Sequence, residues 1–249
     1  MTGGPYTITA GCNKLGIMLV IRRVGLIGDL HAEDEALAFA LAELRRLGAE
    51  TLLQVGDIAD GPGDLKRTID LLVEHQVLAV RGNHDRWLLG NQMRELPYAL
   101  QLHDTDASVV RYLSQLPVTR EFRSPRGHVL LCHGLGTNDM VGVKPDHEGY
   151  DIAMNTDLQR LITERRYRFV LNGHTHRPML RTFGPLSILN AGTLLRDYDR
   201  AFTFVDFDCG ELKRFRQPAG PLVADLSGWT VETQVLADSP SEPFREPFA

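Results

Sequence analysis

The sequence VGLIGDLH, residues 24–31, begins as an apolar run and ends in an aspartate and a histidine. Two further apolar runs also end in a polar residue, at Asp57 and at Asn83. Mainly apolar runs of this length are typical of strands that are buried on both faces. We therefore predict three buried strands, each with a polar residue at its carboxyl end, over residues 24–29, 51–57 and 77–83.

Helical patterns separate these runs. Apolar residues recur at helical spacing over residues 34–47 and 64–75, with Asp34 and Asp64 as candidate N-caps and Gly48 as a stop signal. Alternation of strand and helix predicts an α/β fold, with a parallel sheet and right-handed crossovers.

The polar strand ends are regularly spaced. Asp57 follows Asp29 by 28 positions and Asn83 follows Asp57 by 26, which is about one strand-plus-crossover unit each time. Ligands of parallel α/β sheets bind outside the carboxyl ends of the strands. We therefore expect these three side chains to converge on one site.

The remainder of the chain mixes helices, strands and one long loop. Predicted helices cover residues 86–95, 106–116 and 157–166, and the loop covers residues 134–155. Predicted strands cover residues 118–122, 128–132, 169–172, 182–183, 187–190 and 202–206.

We predict a single domain over residues 18–216, preceded by an N-terminal extension at 1–17, with Met18 as an alternative start. Residues 217–249 are rich in proline, serine and acidic residues, which predicts a loosely packed or disordered extension.

Composition excludes several classes of protein. Of the 249 residues, 43% are hydrophobic and 24% charged, as in ordinary globular proteins, and no apolar run is long enough to span a membrane. The formal net charge of -5 argues against a broad basic surface for nucleic acid. The three cysteines lack CxxC spacing and the first residues do not resemble a secretory signal, so we expect a cytoplasmic protein without disulfides.

Five short clusters carry the residues that could do chemistry. They are Gly28-Asp29-Leu30-His31, Gly56-Asp57-Ile58-Ala59-Asp60, Gly82-Asn83-His84-Asp85, Cys132-His133-Gly134 and Gly173-His174-Thr175-His176. In an extended segment His174 and His176 project from the same face, far enough apart to serve two neighbouring metals. Mixed oxygen and nitrogen donors without thiolate suit Mn, Fe, Ni, Co or Zn better than Ca.

In this order the five clusters closely resemble the calcineurin-like metallophosphoesterase family, and its small single-domain bacterial phosphodiesterase branch in particular. The resemblance implies a four-layer αββα sandwich with a dinuclear metal site at one rim. Two divalent ions are expected there, with manganese preferred over iron, nickel, cobalt and zinc. It also implies the ligands: Asp29, His31, Asp57 and His176 for one metal, and Asp57, Asn83, His133 and His174 for the other. Asp57 is then the bridge. The segment Asn190-Ala191-Gly192-Thr193 departs from the Asn-Pro-Gly-Ser usual in the family.

The resemblance also assigns a substrate-directed histidine. His84 is expected to hydrogen-bond the phosphoryl oxygens or to protonate the departing oxygen, while Asp85 fixes its tautomer and favours its charged form. Asp60 is either a partner that orients a ligand histidine or a loop cap, and the sequence leaves both open. Trp87 is either a core residue or a stacking surface for an aromatic group.

The implied reaction is hydrolysis of a small phosphorylated substrate by a metal-bridging hydroxide, with phosphodiesters favoured. The alternatives are a phosphomonoesterase, including a protein or nucleotide phosphatase, and a scaffold protein on the same fold, as in a retromer subunit that resembles this family. A nuclease is a third, and the absence of a basic track speaks against it. Candidate substrate loops are residues 86–93 and 137–155, in which Lys144 and His147 are available to a phosphate or sugar.

Overall fold

The computed structural model describes residues 18–236, so the predictions for residues 1–17 and 237–249 lie outside the described residues. The helices are α1 Asp34–Arg46, α2 Leu65–Glu74, α3 Asn83–Leu89, α4 Ala107–Gln115, α5 Tyr150–Ala153 and α6 Thr156–Glu164. The strands are β1 Arg23–Ile27, β2 Thr51–Gln54, β3 Leu78–Ala79, β4 Thr119–Ser124, β5 Gly127–Cys132, β6 Phe169–Asn172, β7 Met179–Phe183, β8 Leu186–Asn190, β9 Arg200–Asp206, β10 Glu211–Gln217 and β11 Thr230–Val235. No helix within this described part is long and apolar enough to cross a membrane.

The first sheet contains the predicted parallel unit. Its strand order is β11-β10-β9-β1-β2-β3, and β1, β2 and β3 run parallel, with Val24 opposite Thr51 and Leu53 opposite Leu78. Helices α1 and α2 connect these strands in turn. The strand–helix alternation over residues 24–83 therefore has the predicted topology, and the α/β fold class is confirmed.

A second sheet packs against the first. Its strand order is β4-β5-β6-β8-β7, and β5, β6 and β8 are parallel. Apolar side chains from the facing surfaces of both sheets, such as Leu26 and Leu53 on one and Phe169 and Leu189 on the other, form a single buried cluster. This cluster is the core of a sandwich of two sheets.

Helices cover the outer faces of both sheets. Buried residues of α1, α2 and α4 pack on the outer face of the first sheet, around Phe202 and Phe215. Leu158 and Leu161 of α6 pack on the outer face of the second, against Leu130 and Val170. The layers are helix, sheet, sheet and helix, so the four-layer αββα sandwich is confirmed.

The starts of the first two helices differ in part from prediction. Asp64 caps α2, since its side chain accepts a hydrogen bond from the backbone N–H of Arg67. Asp34 is not an N-cap, because it already lies in the first turn of α1 and Glu33 occupies the capping position. The Asp34 carboxylate instead accepts from the N–H of Asp64 and so joins the starts of both helices.

Two predicted boundaries around the third and fifth helices are wrong. The helix predicted over residues 86–95 begins at Asn83 and ends at Leu89. It starts earlier because the Asp85 carboxylate accepts a hydrogen bond from the backbone N–H of Gly82 at the N-cap, which the apolar spacing does not reveal. The predicted loop over residues 134–155 contains the short helix α5.

The prediction of a loosely packed or disordered segment after residue 217 is wrong as far as residue 236. Strand β11 pairs with β10 along six residue pairs, from Glu211 opposite Val235 to Arg216 opposite Thr230. Trp229 is only 7% exposed and stacks on Phe39, with ring centroids 5.3 Å apart. The composition misled because β11 is an exposed edge strand, whose attachment depends on backbone hydrogen bonds and one aromatic anchor.

Candidate metal centre

The carboxyl ends of the parallel strands of both sheets bring the predicted ligands to one rim. Asp29 and Asp57 follow β1 and β2, and Asn83 begins α3 just after β3. From the second sheet, His133 follows β5, and the pair His174 and His176 follows β6. The convergence expected from the strand order is therefore present.

Four of these residues form a compact cluster. One side-chain donor atom from each of Asp29, His31, Asp57 and His176 lies within 4.8 Å of the other three. Nε2 of His176 is 3.1 Å from Nε2 of His31 and 3.1 Å from Oδ2 of Asp29. These distances leave a small space surrounded by electron-pair donors, which a single cation could fill.

A second group of donors adjoins the first and shares Asp57 with it. The side-chain oxygen of Asn83 lies 2.9 Å from Nε2 of His133 and 3.1 Å from Nδ1 of His174. Oδ2 of Asp57 is 3.2 Å from the same His133 nitrogen. The structure thus brings together all seven residues proposed as ligands, in the two groups that the resemblance implies.

Backbone carbonyls determine which nitrogen faces the cluster in three of the four imidazoles. The nitrogen on the far side of these three rings lies against a carbonyl oxygen: Nδ1 of His31 at 2.9 Å from Asp60, Nδ1 of His133 at 2.9 Å from Val55, and Nε2 of His174 at 3.1 Å from Met140. That nitrogen must carry a proton to donate, so in the neutral ring the inward nitrogen holds a lone pair. Orientation of this kind is typical of metal-ligating histidines.

The electrostatics of the cluster also call for a positive charge. Oδ2 of Asp29 is buried and forms no hydrogen bond within residues 18–236, although Nε2 of His176 lies 3.1 Å away. Burial would raise the pKa of Asp57, but His133 holds it well below its ordinary value. Burial would likewise lower the pKa of His133, but the charges of Asp57 and Asp29 raise it to about 10. Buried carboxylates need a nearby positive charge, and the inward nitrogens of the imidazoles offer lone pairs. Together these groups fit a divalent cation.

The backbone is strained at the same place. Positive φ angles, which side-chain-bearing residues rarely adopt, occur at five residues of this rim: His31 (46°), Asp57 (53°), Asp60 (61°), His174 (66°) and His176 (57°). The preceding glycines permit the close approach, because a Cβ at Gly82 would collide with Asp57 and one at Gly173 would collide with Asp29. Strained positions of this kind concentrate at functional sites.

His84 lies beside the candidate metal ligands, but its hydrogen-bond partner is not the predicted one. Its backbone N–H donates to Oδ1 of Asp57 at 2.8 Å, and its ring Nδ1 lies 3.0 Å from Oδ2 of Asp60. Burial disfavours the charged ring, but the hydrogen bond to Asp60 raises the pKa of His84. Asp60, left open between orienting partner and loop cap, is therefore the residue that orients His84.

The prediction that Asp85 fixes the tautomer of His84 is wrong. The carboxylate of Asp85 is fully buried and accepts three backbone hydrogen bonds of 2.9 Å, from the N–H groups of Gly82, Ile58 and Ala59. Burial and the nearby charge of Asp57 raise the pKa of Asp85 to about 6. Asp85 follows His84 in the chain, but on a helix adjacent residues point in different directions.

Comparison with known proteins agrees with the geometry. Residues 23–211 match the calcineurin-like phosphoesterase superfamily domain, which is more than half of the chain. The chain belongs to the calcineurin-like phosphoesterase family. A curated relative is the uncharacterized protein MJ0912 of Methanocaldococcus jannaschii, which is 21% identical over 86% of this chain and 87% of its own length.

Solved structures of this phosphoesterase family share the fold. A metallophosphoesterase from Sphaerobacter thermophilus superposes with a TM-score of 0.58 and 17% identity, over 79% of this chain and 88% of its own. A structure described as a novel archaeal phosphodiesterase has a TM-score of 0.52 and 14% identity, over 78% of this chain and 99% of its own. At these identities the likeness establishes the fold and not the substrate.

The departure from the usual Asn-Pro-Gly-Ser segment leaves the phosphoesterase rim intact. Asn190 donates from its amide to the Gly173 carbonyl and accepts from the N–H of Gly192. The hydroxyl of Thr193 donates to the backbone carbonyl of Asp29 at 2.9 Å. Ala191 and Thr193 therefore still allow this segment to brace the loops that carry Asp29 and His174.

A pocket of about 500 Å³ opens over the candidate metal ligands. Its lining includes the candidate ligands Asp57, Asn83, His174 and His176, the catalytic candidate His84, and Trp87, Met140, Gly142, Lys144, Thr175 and Tyr198. Trp87 is thus a pocket residue rather than a core residue, with its ring 4.8 Å from that of His84. Of the two candidate substrate residues, Lys144 lines the pocket and His147 is not among its lining residues.

Sequence reasoning missed Arg94. Its guanidinium forms a fork on the carboxylate of Asp60, with Nη1 2.8 Å from Oδ1 and Nη2 2.8 Å from Oδ2. It lies between α3 and α4, beyond the observed end of α3, and the helix predicted over residues 86–95 gives no sign of its role. A buried Asp60 needs a cationic partner, and this need was the one signal that pointed to an arginine or lysine. The burial of Asp60 was not predicted.

Proposed function

We propose that this phosphoesterase binds two divalent cations and hydrolyses small phosphodiesters. Manganese is the preferred ion, and iron, nickel, cobalt or zinc are the alternatives. One observation carries the proposal. Asp57 is common to two adjoining groups of donor atoms, and each group contains an imidazole whose inward nitrogen is fixed by a backbone carbonyl, His31 in one and His133 in the other. Two groups with a shared carboxylate fit a dinuclear centre better than a mononuclear one.

The bound cations would supply a nucleophile at neutral pH by acidifying water, together with charge stabilisation at the phosphoryl group. The side chains of the chain itself orient the reactants. Asp57 holds the backbone N–H of His84 and so keeps that residue beside the metal ligands. His84 lines the pocket with its Nδ1 turned to Asp60, which leaves Nε2 to donate a proton to the departing oxygen.

The walls of the pocket favour a diester over a monoester. A monoester dianion exposes three oxygens and is usually bound by several cationic donors, whereas within residues 18–236 Lys144 is the one lysine or arginine that lines the pocket. Trp87 lies against His84, and Tyr198, which is 46% exposed, lies against His176 with ring centroids 4.6 Å apart. Both aromatic rings line the pocket and offer apolar surface to the organic substituents of a phosphodiester.

The test is hydrolysis of bis(4-nitrophenyl) phosphate and 4-nitrophenyl phosphate by chelator-stripped protein, with manganese, nickel, zinc and magnesium returned one at a time. We expect metal-dependent turnover with a preference for the diester. A preference for the monoester would identify a phosphatase instead. No turnover with any metal, from folded protein that binds metal, would identify a scaffold on this fold.

A further inference from the structure

The segment between α3 and α4 encloses one cationic side chain. The side chain of Arg94 is 8% exposed, and that of its partner Asp60 is fully buried. Nε of Arg94 donates to the carbonyl of Gln92 at 2.6 Å, and Nη1 donates to the carbonyl of Leu100 at 2.8 Å. The N–H of Leu100 in turn donates to Oδ1 of Asp60 at 3.3 Å. The guanidinium is therefore fixed at the loop as well as at the carboxylate.

The Asp60 carboxylate has two neighbours with different roles. Its Oδ2 faces both Nη2 of Arg94 and Nδ1 of His84, at 2.8 Å and 3.0 Å, while Oδ1 faces only Arg94 and Leu100. A planar fork fixes the rotation of a carboxylate about its terminal bond, which a single contact does not. Arg94 thereby determines where the oxygen that holds the His84 ring is located.

We infer that Arg94 is a positioning residue for His84, acting through Asp60 without touching the substrate. This rests on the proposed hydrolytic function. Loss of the fork leaves the buried carboxylate held only by the 3.3 Å hydrogen bond from Leu100 and by His84 itself. The carboxylate is then less firmly fixed, so the His84 ring loses its fixed orientation and Nε2 is no longer directed at the departing oxygen. The metal ligands are not part of the fork, so metal binding is retained.

The inference predicts a dependence on the leaving group. Protonation of the departing oxygen matters most when the leaving group is a strong base, and phenoxide is a far stronger base than 4-nitrophenoxide. We expect Arg94→Gln to lower kcat for diphenyl phosphate by about 10–100-fold, and kcat for bis(4-nitrophenyl) phosphate by less than about threefold, with KM nearly unchanged. Arg94→Lys should behave like Arg94→Gln, because an ammonium cannot form the fork.

The experiment measures both substrates with wild type, Arg94→Gln, Arg94→Lys and the control Arg166→Gln, each loaded with manganese. Arg166 also pairs with a carboxylate, Glu121, at 2.7 Å, but it lies away from the pocket lining. Guanidinium chloride at millimolar concentration should restore part of the lost diphenyl phosphate turnover in Arg94→Gln. It should not raise the rate of wild type or of Arg166→Gln.

Two results would overturn the inference: equal losses for both leaving groups, or an Arg94→Gln enzyme with the wild-type rate for diphenyl phosphate. Nitrogen-15 NMR of the histidine rings in the zinc form supplies a readout that needs no turnover. We expect one sharp Nδ1–H signal from the charged His84 ring, held by Asp60, in wild type and a shifted or exchange-broadened signal in Arg94→Gln; an unchanged signal would also count against the inference. Failure of the proposed function is separate, because it would appear as an inactive wild type.

Discussion

The loop after β2 and the start of α3 look alike in sequence but act differently. Each carries a metal-ligand candidate followed closely by an aspartate: Asp57 with Asp60 in the loop, and Asn83 with Asp85 in the helix. Asp60 reaches across to His84, whereas Asp85 turns back and binds the backbone of both segments. The difference teaches that the partner of a catalytic residue is chosen by side-chain direction, not by distance along the chain.

The largest effect should come from Asp57, which both donor groups share. We expect Asp57→Ala to lose both cations and to lower diester turnover by at least about 10³-fold, since metals supply several kcal/mol of transition-state stabilisation. Metal content by mass spectrometry of the purified variant checks this. Two cations retained tightly would contradict the assignment of Asp57 as the bridge.

His84→Ala should separate turnover from metal binding. We expect both cations and the fold to be retained while kcat falls by about 10²–10⁴-fold, because only proton transfer is removed. The measurement combines kcat with metal content. A wild-type kcat would remove His84 from the mechanism.

The two aspartates should differ in their effect on turnover. Asp60→Asn should lower kcat by about 10–100-fold because it disturbs the orientation of His84, and it should also lower stability because the buried Arg94 loses its counter-charge. Asp85→Asn should lower the free energy of unfolding by about 1–3 kcal/mol with a smaller effect on kcat, because an amide cannot accept all three backbone hydrogen bonds. Denaturant unfolding and kinetics on the same samples test the pair, and equal losses of kcat in the two variants would refute the distinction.

Metal binding should release a proton. In metal-free protein the pKa of His133 is raised to about 10, so the ring is charged at pH 8 and must lose its proton to bind a cation. Metal affinity should therefore rise as the pH increases from 7 towards 10. Calorimetry in two buffers of different ionisation enthalpy measures the released protons, and equal heats in both would contradict this.

The smallest effect should come from the pocket wall. We expect Trp87→Ala to raise KM for aryl diesters by about tenfold, since stacking on an aromatic side chain contributes about 1–3 kcal/mol. Trp87→Phe is the matched control and should stay near wild type. Equal KM values for all three proteins would show that Trp87 is not a substrate surface.

The sequence predicted the parts of the site that repeat with the strands. Asp29, Asp57 and Asn83 follow apolar runs at regular intervals, so their meeting at one rim required only the topology of a parallel sheet. Arg94 and the attachment of β11 could not be predicted in this way. Both depend on single long-range contacts, the fork on Asp60 and the packing of Trp229, for which no periodic signal exists.

A manganese titration of the metal-free protein, in which bound metal and bis(4-nitrophenyl) phosphate turnover are followed together, tests the account most directly. We predict that two equivalents bind and that turnover appears mainly with the second, because the shared Asp57 couples two donor groups. Full turnover after one equivalent would contradict the dinuclear centre. Two bound equivalents with no turnover would contradict the hydrolase.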